Sequence, residues 1–326
     1  MFYEGKNVLV LGGAGLTGQS LIPKLLEQGT YVRATQYQRN RLSIPHKNLE
    51  VVACDLRDPE RAAAVFKGMD IVFICAGIVR GARGIQEEPS DILMYNLNLQ
   101  SKLIHLAWKM KVQRCGLISS SYVYPHTGQP NVEEEGLQGD PWKPMNYGMG
   151  WTHRYLETLC RHFHMAGPTG YAIIRPTVLF GPHDHFDLKD GHVIPASIVK
   201  AVNQMDPYEV WGNGQEVRCF TYIDDFTEGL MCAVEHYAVA EPINICAKET
   251  STVEGMLRMV LGHLDFHPKV VFRSDKPSAI PYKVSDPAKA RQLLRWEARV
   301  SLKEGLRRTL DWYLQSLSQV GAAAST

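Results

Sequence analysis

Short apolar runs alternating with longer amphipathic ones predict an α/β chain, a doubly wound parallel sheet with a smaller C-terminal region over the cleft. The apolar runs are Val8–Leu11, Thr30–Ala34, Leu49–Ala53, Ile71–Cys75 and Cys115–Ser119, each as long as a buried strand. Between them Ser20–Gln28, Pro59–Lys67 and Leu97–Met110 repeat apolar residues at helical spacing. A glycine turn, Gly12-Gly13-Ala14-Gly15-Leu16-Thr17-Gly18, joins the first strand to the first helix. Beyond Arg175-Pro176 the chain becomes richer in Pro, Gly and His, with long polar connections over 181–192 and 211–218 of the kind that carry binding sites. The expected division is a sheet domain over 1–175 that also receives 219–245, then a second region from 176–218 and 246–316. Val300–Leu314 reads as a terminal helix, and 317–326 as a flexible tail.

Bulk composition narrows the classes. A chain of 326 residues with 45% hydrophobic content buries a sizeable core. Thirty-five basic residues against 34 acidic ones leave a formal charge of +1 with no long basic run, so nucleic acid is not an expected partner. The seven cysteines, Cys54, Cys75, Cys115, Cys160, Cys219, Cys232 and Cys246, are scattered and never spaced as CxxC, which fits a reduced, cytoplasmic compartment. No apolar stretch approaches the roughly 20 residues of a membrane span, and no secretory signal precedes the first strand. His183, Asp184, His185, Asp187, Asp190 and His192 lack a recognised ligand spacing, so no metal is expected.

The glycine turn, between a strand and an amphipathic helix, has the context of a dinucleotide site, where N–H groups at a helix N-terminus face a pyrophosphate. Gly12, Gly15, Leu16, Thr17 and Gly18 are the residues expected there; the bland reading is a tight packing turn. An NAD-specific fold places an acidic side chain after the second strand, yet this chain reads Thr35-Gln36-Tyr37-Gln38-Arg39-Asn40-Arg41. Arg39 and Arg41 suit a 2′-phosphate through their guanidinium forks, so NADP is preferred over NAD; otherwise they are solvated loop arginines. Asp55-Leu56 is an adenine contact, or Asp55 is a helix cap.

Ser119-Ser120-Ser121-Tyr122-Val123-Tyr124-Pro125, followed by Tyr147 and preceded by the glycine turn, resembles the extended short-chain dehydrogenase/reductase family of nucleotide-sugar epimerases, dehydratases and reductases. That family has a Rossmann sheet. Arg175-Pro176-Thr177, Gly181-Pro182-His183-Asp184, His192-Val193-Ile194-Pro195-Ala196, Trp211-Gly212-Asn213-Gly214 and Arg218 resemble its GDP-fucose synthase branch most closely. The resemblance implies an NADPH-dependent epimerase and reductase of a GDP-4-keto-6-deoxy-hexose, working as a homodimer through the helices around Leu97–Met110 and Gly148–Met165. By position it implies that Ser120 binds the keto oxygen, Tyr147 protonates it and His192 is an epimerisation acid/base. Cofactor contacts are implied for Ala76, Gly77, Tyr147, Pro176 and Thr177, and substrate contacts for Lys200, Trp211 and Arg218. Lys200 stands where the family has arginine, a point charge in place of a fork. Two departures bear on chemistry: Tyr122 replaces the second acid/base cysteine, and Trp151 replaces the catalytic lysine.

An indole neither activates the phenol nor holds the nicotinamide ribose. Tyr147 is then a poor base that still donates a proton at neutral pH, which harms oxidation more than reduction. A misplaced ribose alone costs on the order of a hundredfold in rate. Lys143, His153 and Arg154 are the nearest cations in sequence, and the last two fall on another helix face. Epimerisation beside a ketone needs no hydride, only a base, an acid and donors for the enolate. Two other enzymatic readings, a UDP-sugar 4-epimerase and a 4,6-dehydratase, start by oxidation with NAD, and a dehydratase wants an acidic pair where Ser121-Tyr122 stands. A non-catalytic NADP-binding scaffold is the alternative of another class; it has no use for Ser120, Tyr147 and His192. Tyr122 and Tyr124 also read as core aromatics, Ser119 and Ser121 as strand-end hydroxyls, and Trp151 as filling a seam or stacking on a ligand. Replacing Trp151→Lys is expected to raise NADPH-dependent reduction; no gain in rate would show that Trp151 alone does not limit hydride transfer.

Overall fold

The computed structural model describes residues 1–38, 42–79, 89–142, 147–276 and 280–323. Seven parallel strands form the main sheet: β1 Asn7–Leu11, β2 Tyr31–Gln36, β3 Leu49–Ala53, β4 Ile71–Ile74, β5 Arg114–Ile118, β6 Gly170–Arg175 and β11 Val239–Asn244. Their spatial order is β11-β6-β5-β4-β1-β2-β3, so the winding reverses between β1 and β4 and opens a crevice at the strand ends there. β4 and β6 are buried at every position, which is why they read as unbroken apolar runs; helices cover both faces.

One face carries α1 (Leu16–Glu27), α6 (Ile223–His236) and α8 (Ala288–Leu294), which pack Leu21, Ile22, Phe226, Leu230 and Leu294 onto the sheet. The other carries α2 (Pro59–Val65), α3 (Pro89–Lys109) and α4 (Tyr147–Met165), packed through Val65, Leu103, Ile104, Leu156 and Cys160. A third core joins α5 (Val193–Val202), α7 (Val253–His263) and α9 (Leu302–Ala323) to β7 (Val178–Phe180), β8 (Tyr208–Trp211), β10 (Phe220–Tyr222) and β13 (Val270–Arg273). Between these cores runs a short three-stranded sheet, β12 (Ser251–Thr252), β9 (Val217–Arg218) and β14 (Tyr282–Lys283), in which Lys283 is the register partner of Arg218.

The strands follow the apolar runs within two residues, whereas α3 begins at Pro89, eight residues before its expected start. The span expected as a tail from 317 overlaps the last helix. α9 continues to Ala323, because Gln315–Ala323 contains no proline and ends in alanines that extend a helix at no cost; residues 324–326 lie outside the described chain.

Behind the strand ends, Glu157 of α4 and Arg175 of β6 form a two-pronged ion pair with both side chains at 0% exposure. Arg175 Nε and Nη2 donate to the two carboxylate oxygens at 2.8 and 2.6 Å, and Nη1 donates to Tyr124 Oη at 3.1 Å and to the Glu133 carbonyl at 2.8 Å. Ser119 Oγ adds a donation to Glu157 at 2.6 Å, and Tyr124 Oη donates to Asn244 at 2.6 Å. Such a pair is tolerated only because every polar atom has a partner. Glu157→Ala leaves the guanidinium uncompensated and is expected to cost about 3–5 kcal/mol, read as a fall in the chemical denaturation midpoint; an unchanged midpoint would refute that role.

Candidate active site

The glycine turn sits in the crevice between β1 and β4. Gly12 has φ +86°, and a Cβ there would lie 2.9 Å from the backbone of Ala76, so only glycine fits both the torsion and the approach. A Cβ on Gly18 would lie 2.6 Å from the Gly13 backbone, which fixes how closely α1 starts against the turn. Thr35 at the end of β2 holds the turn from beneath: its hydroxyl accepts from Gly12 N at 3.1 Å and its carbonyl from Gly13 N at 2.8 Å. Gly15 caps α1 without a side-chain hydrogen bond, so the first N–H groups, at Leu16 and Thr17, face outward with no internal acceptor from a cap. The cradle therefore fits a dinucleotide pyrophosphate.

Around that turn, Gly77 is exposed at the end of β4, while Asn96 of α3 clamps Ile78 by accepting from its N–H and donating to its carbonyl, both at 2.8 Å. Gln100 Nε2 donates to the Ala76 carbonyl at 3.2 Å. Asp55 does not cap α2; Asp58 does, accepting from Glu60 and Arg61 N–H groups. Asp55 instead takes Arg57 Nε and Nη2 at 2.9 and 2.7 Å, which holds its carboxyl down at about 2, and Arg57 lies 5.7 Å from the Tyr37 ring. Leu56 is buried beside it. Arg39, Arg41 and Lys143 lie outside the described residues.

Ser120 follows β5 and caps a 3₁₀ turn over Ser121–Val123, its Oγ accepting from Tyr122 N at 3.2 Å and keeping its own proton to donate. Pro176 continues the pairing of β5 with β6 by accepting from Ser121 N at 3.1 Å, and the Thr177 hydroxyl donates to the Cys219 carbonyl at 2.8 Å. Tyr147 opens α4 at 37% exposure, and Trp151 stands one turn later at 43%, edge to face with it at 6.3 Å between ring centroids. Gly150 lets that first turn approach: a Cβ there would strike the Tyr122 carbonyl and Pro141. Ser120, Tyr122, Tyr147 and Trp151 thus share one corner. Arg154, 4.7 Å beneath the indole, donates to the carbonyls of Val123, Gln138 and Gly139.

Among the elements of the third core, His192 caps α5 and its Nδ1 lies 3.4 Å from Asp184, on the connection that leaves β7. Lys200 Nζ donates to the Glu209 carbonyl at 2.7 Å, one strand-step from the half-buried Trp211. Arg218 is 5% exposed, and its guanidinium is pushed down by burial and drawn back by Tyr122. Pattern reading missed Lys283, whose ammonium lies 3.6 Å from the Tyr122 ring centroid. It also missed Thr35 and Asn96, whose partners come from other elements, and Arg57, whose carboxylate partner Asp55 stands two residues before it; Asp184 carried a visible signal, its place in the motif before His192.

A doubly wound parallel sheet with a glycine cradle at its switch point, and Ser and Tyr donors at the ends of β5 and α4, defines a Rossmann enzyme of the short-chain dehydrogenase/reductase type. Residues 8–246 match the profile of the NAD dependent epimerase/dehydratase family, and the chain belongs to that family. It is 27% identical over 318 residues to GDP-L-fucose synthase 1 of Arabidopsis thaliana, spanning 96% of this chain and 95% of that one. Among solved structures, an epimerase of Methanothermobacter thermautotrophicus superposes with a TM-score of 0.87 at 27% identity, over 98% of this chain and 95% of the other. A GDP-L-fucose synthetase of Naegleria fowleri bound to NADP shares the fold, with a TM-score of 0.79 at 21% identity over 97% and 96% of the two chains.

One group beneath the site gives the protein an acid limit. Burial lowers His153 from its ordinary 6.5 to about 4, and its Nδ1 has no hydrogen-bond partner. Between those values the unfolded chain takes a proton that the folded chain refuses, so stability falls as pH drops through that window, by on the order of 3 kcal/mol. His153→Gln is expected to flatten the dependence of the unfolding midpoint between pH 6.5 and 4; an equally steep wild-type and variant profile would refute the assignment.

Proposed function

We propose that this enzyme is an NADP(H)-dependent nucleotide-sugar epimerase-reductase acting on a GDP-linked 4-keto-6-deoxy-hexose, with its reductive step weakened by Trp151. The observation that carries this reading is the coexistence of two keto-oxygen donors, Ser120 and Tyr147, with a histidine backed by a carboxylate, His192 with Asp184. The GDP-sugar relative and the NADP-bound neighbour favour the substrate and cofactor chosen.

Gly12, Gly15, Leu16, Thr17 and Gly18 would hold the pyrophosphate, Asp55 and Leu56 the adenine end, and Arg39 and Arg41 a 2′-phosphate. Ala76, Gly77, Pro176 and Thr177 would flank the rest. Bound nicotinamide supplies a hydride. Lys200, Trp211 and Arg218 bind the nucleotide diphosphate, the indole by stacking and the two cations by charge. Ser120 Oγ–H and Tyr147 Oη–H donate to the keto oxygen and hold the enolate once His192 removes a proton from the neighbouring carbon. Asp184 steadies the imidazolium that forms. Tyr122 returns a proton to carbon, and Tyr147 protonates the oxygen in the reductive step. Exposed Met94 and Tyr155 on α3 and α4 support a homodimer through those helices.

Purified protein given a GDP-4-keto-6-deoxy-hexose and NADPH in heavy water is expected to place deuterium beside the ketone faster than it consumes NADPH, followed by mass and by nicotinamide absorbance. Tyr147→Phe should slow reduction by about 10²–10⁴-fold, and His192→Asn should slow deuterium entry by a similar factor. Neither deuterium entry nor NADPH loss with this substrate would overturn the reading.

A further inference from the structure

The proposed epimerisation leaves Tyr122 as a phenolate, and the family lysine that would stabilise a phenolate is replaced on α4 by Trp151. The site supplies a cation elsewhere. Lys283, carried in by β14 from the C-terminal part of the chain, places Nζ 3.6 Å from the centroid of the Tyr122 ring. Its neighbour across the strand pair is Arg218, so two cations enter this wall side by side from β9 and β14.

The position is built rather than incidental. Tyr122 is fixed at its backbone by Ser120 Oγ on one side and by the close approach of Gly150 on the other, so its side chain starts from a set point beside Ser120. Lys283 also lines a small cavity together with Ser121, Asn131 and Ser285, whose buried Oγ, Oδ1 and Oγ atoms have no hydrogen-bond partner. Among the described residues, the groups that act on Lys283 or feel its charge include Tyr122 from the 3₁₀ turn, Arg218 and Cys219 from β9 and its end, and His153 from α4. Burial pushes the ammonium down and Tyr122 draws it back up, which is the direction expected of a lysine that trades charge with a phenol.

We propose that Lys283 is the positioning cation for Tyr122, making a lysine–tyrosine acid/base pair on the wall formed by β9, β14 and the 3₁₀ turn. This deepens the epimerase reading and rests on it. In the step, His192 takes a proton from the carbon beside the ketone and the C–H electron pair moves to the enolate oxygen, held by Ser120 and Tyr147. A new C–H bond forms with the proton of Tyr122 Oη, and the phenolate left behind is neutralised by the Lys283 ammonium until solvent returns a proton to it and takes the one held by His192. One C–H bond breaks and one forms, with no oxidant or reductant.

Two measurements on the full chain test this. In the first, deuterium exchange into a GDP-4-keto-6-deoxy-hexose is followed for the wild type, Lys283→Met, Lys283→Arg and Tyr122→Phe, each checked for a native circular dichroism spectrum. Lys283→Met is expected to lower kcat about a hundredfold with little change in KM, and Lys283→Arg to recover most of it. Adding Tyr122→Phe to Lys283→Met should cost no more than either change alone. A rise in KM with kcat unchanged would make Lys283 a substrate anchor and overturn the proposal. The second needs no substrate, and so separates failure of the pair from failure of the epimerase reading. The Lys283 side chain is titrated by carbon-13 NMR, assigned by its loss in Lys283→Met; Tyr122→Phe should move its midpoint to lower pH and Arg218→Gln to higher pH. A midpoint unmoved by Tyr122→Phe would sink the pairing even in an active enzyme.

Discussion

The Glu157–Arg175 ion pair is the constraint on which the rest of the site depends. α4 carries Tyr147 and Trp151, and its first turn packs closely against the 3₁₀ turn at Tyr122. Ten residues further along, about 15 Å down the helix, Glu157 binds Arg175 of β6 through both oxygens. The carboxylate also takes the hydroxyl of Ser119, the residue before Ser120. One anion thus sets the distance between the helix that presents the phenol and the strand end that presents the serine. Removing two charges from water is unfavourable, and the network offsets it by saturating the guanidinium with Tyr124 and the Glu133 carbonyl. The same links reach β11 through Asn244, whose N–H donates to Glu133 at 2.7 Å. Rigidity of the donor pair is a property of polar groups that never touch a substrate.

Charge is distributed unevenly between the two walls. The α4 wall offers aromatic surface, Tyr147 and Trp151, over an arginine whose donors all end on carbonyl oxygens. The β9 and β14 wall offers Arg218 and Lys283 as register partners, each pushed down by burial. Two enclosed cations that repel one another are a standing cost to the fold, and they persist where an anion or a developing negative charge relieves them. Oriented positive charge in a partly enclosed site needs no reorganisation when the reaction creates an oxyanion, which is where electrostatic catalysis is strongest.

Much of the sheet was legible because its signals are local. A buried parallel strand must be apolar along its whole length, and the glycine turn needs Gly12 at positive φ whatever the distant sequence holds. The site was legible only in part. Tyr122 and Tyr124 are indistinguishable as strand-end aromatics, yet Tyr124 is 3% exposed and locked to Asn244, 120 residues away, while Tyr122 faces Lys283. Ser119, read only as a strand-end hydroxyl, is a donor to a carboxylate 38 residues on. Such roles are fixed by tertiary neighbours that no periodicity encodes. The long helix α9 was cut short for a related reason: a small-residue end looks like a tail, although alanine is the strongest helix former.

Arg154 shows why a nearby cation is not a replacement for a lysine. Its charge lies 4.7 Å from the Trp151 ring, which is itself in edge contact with Tyr147, so proximity alone would nominate it as the group that activates the phenol. Its donors decide otherwise. Nε and Nη2 reach the Val123 carbonyl at 2.9 and 2.7 Å, Nη1 the Gly139 carbonyl at 2.7 Å, and Nη2 also the Gln138 carbonyl at 3.2 Å. These bonds close the loop that follows the 3₁₀ turn onto α4, and a guanidinium cannot turn toward Tyr147 without leaving buried carbonyls unmet, at about 1–3 kcal/mol each. The indole lies 4.7 Å over the cation and is held there by cation–π attraction. Trp151 is thereby fixed between the Tyr147 phenol and an arginine with a structural duty, whereas Lys283 of β14 holds its ammonium 3.6 Å from the Tyr122 ring.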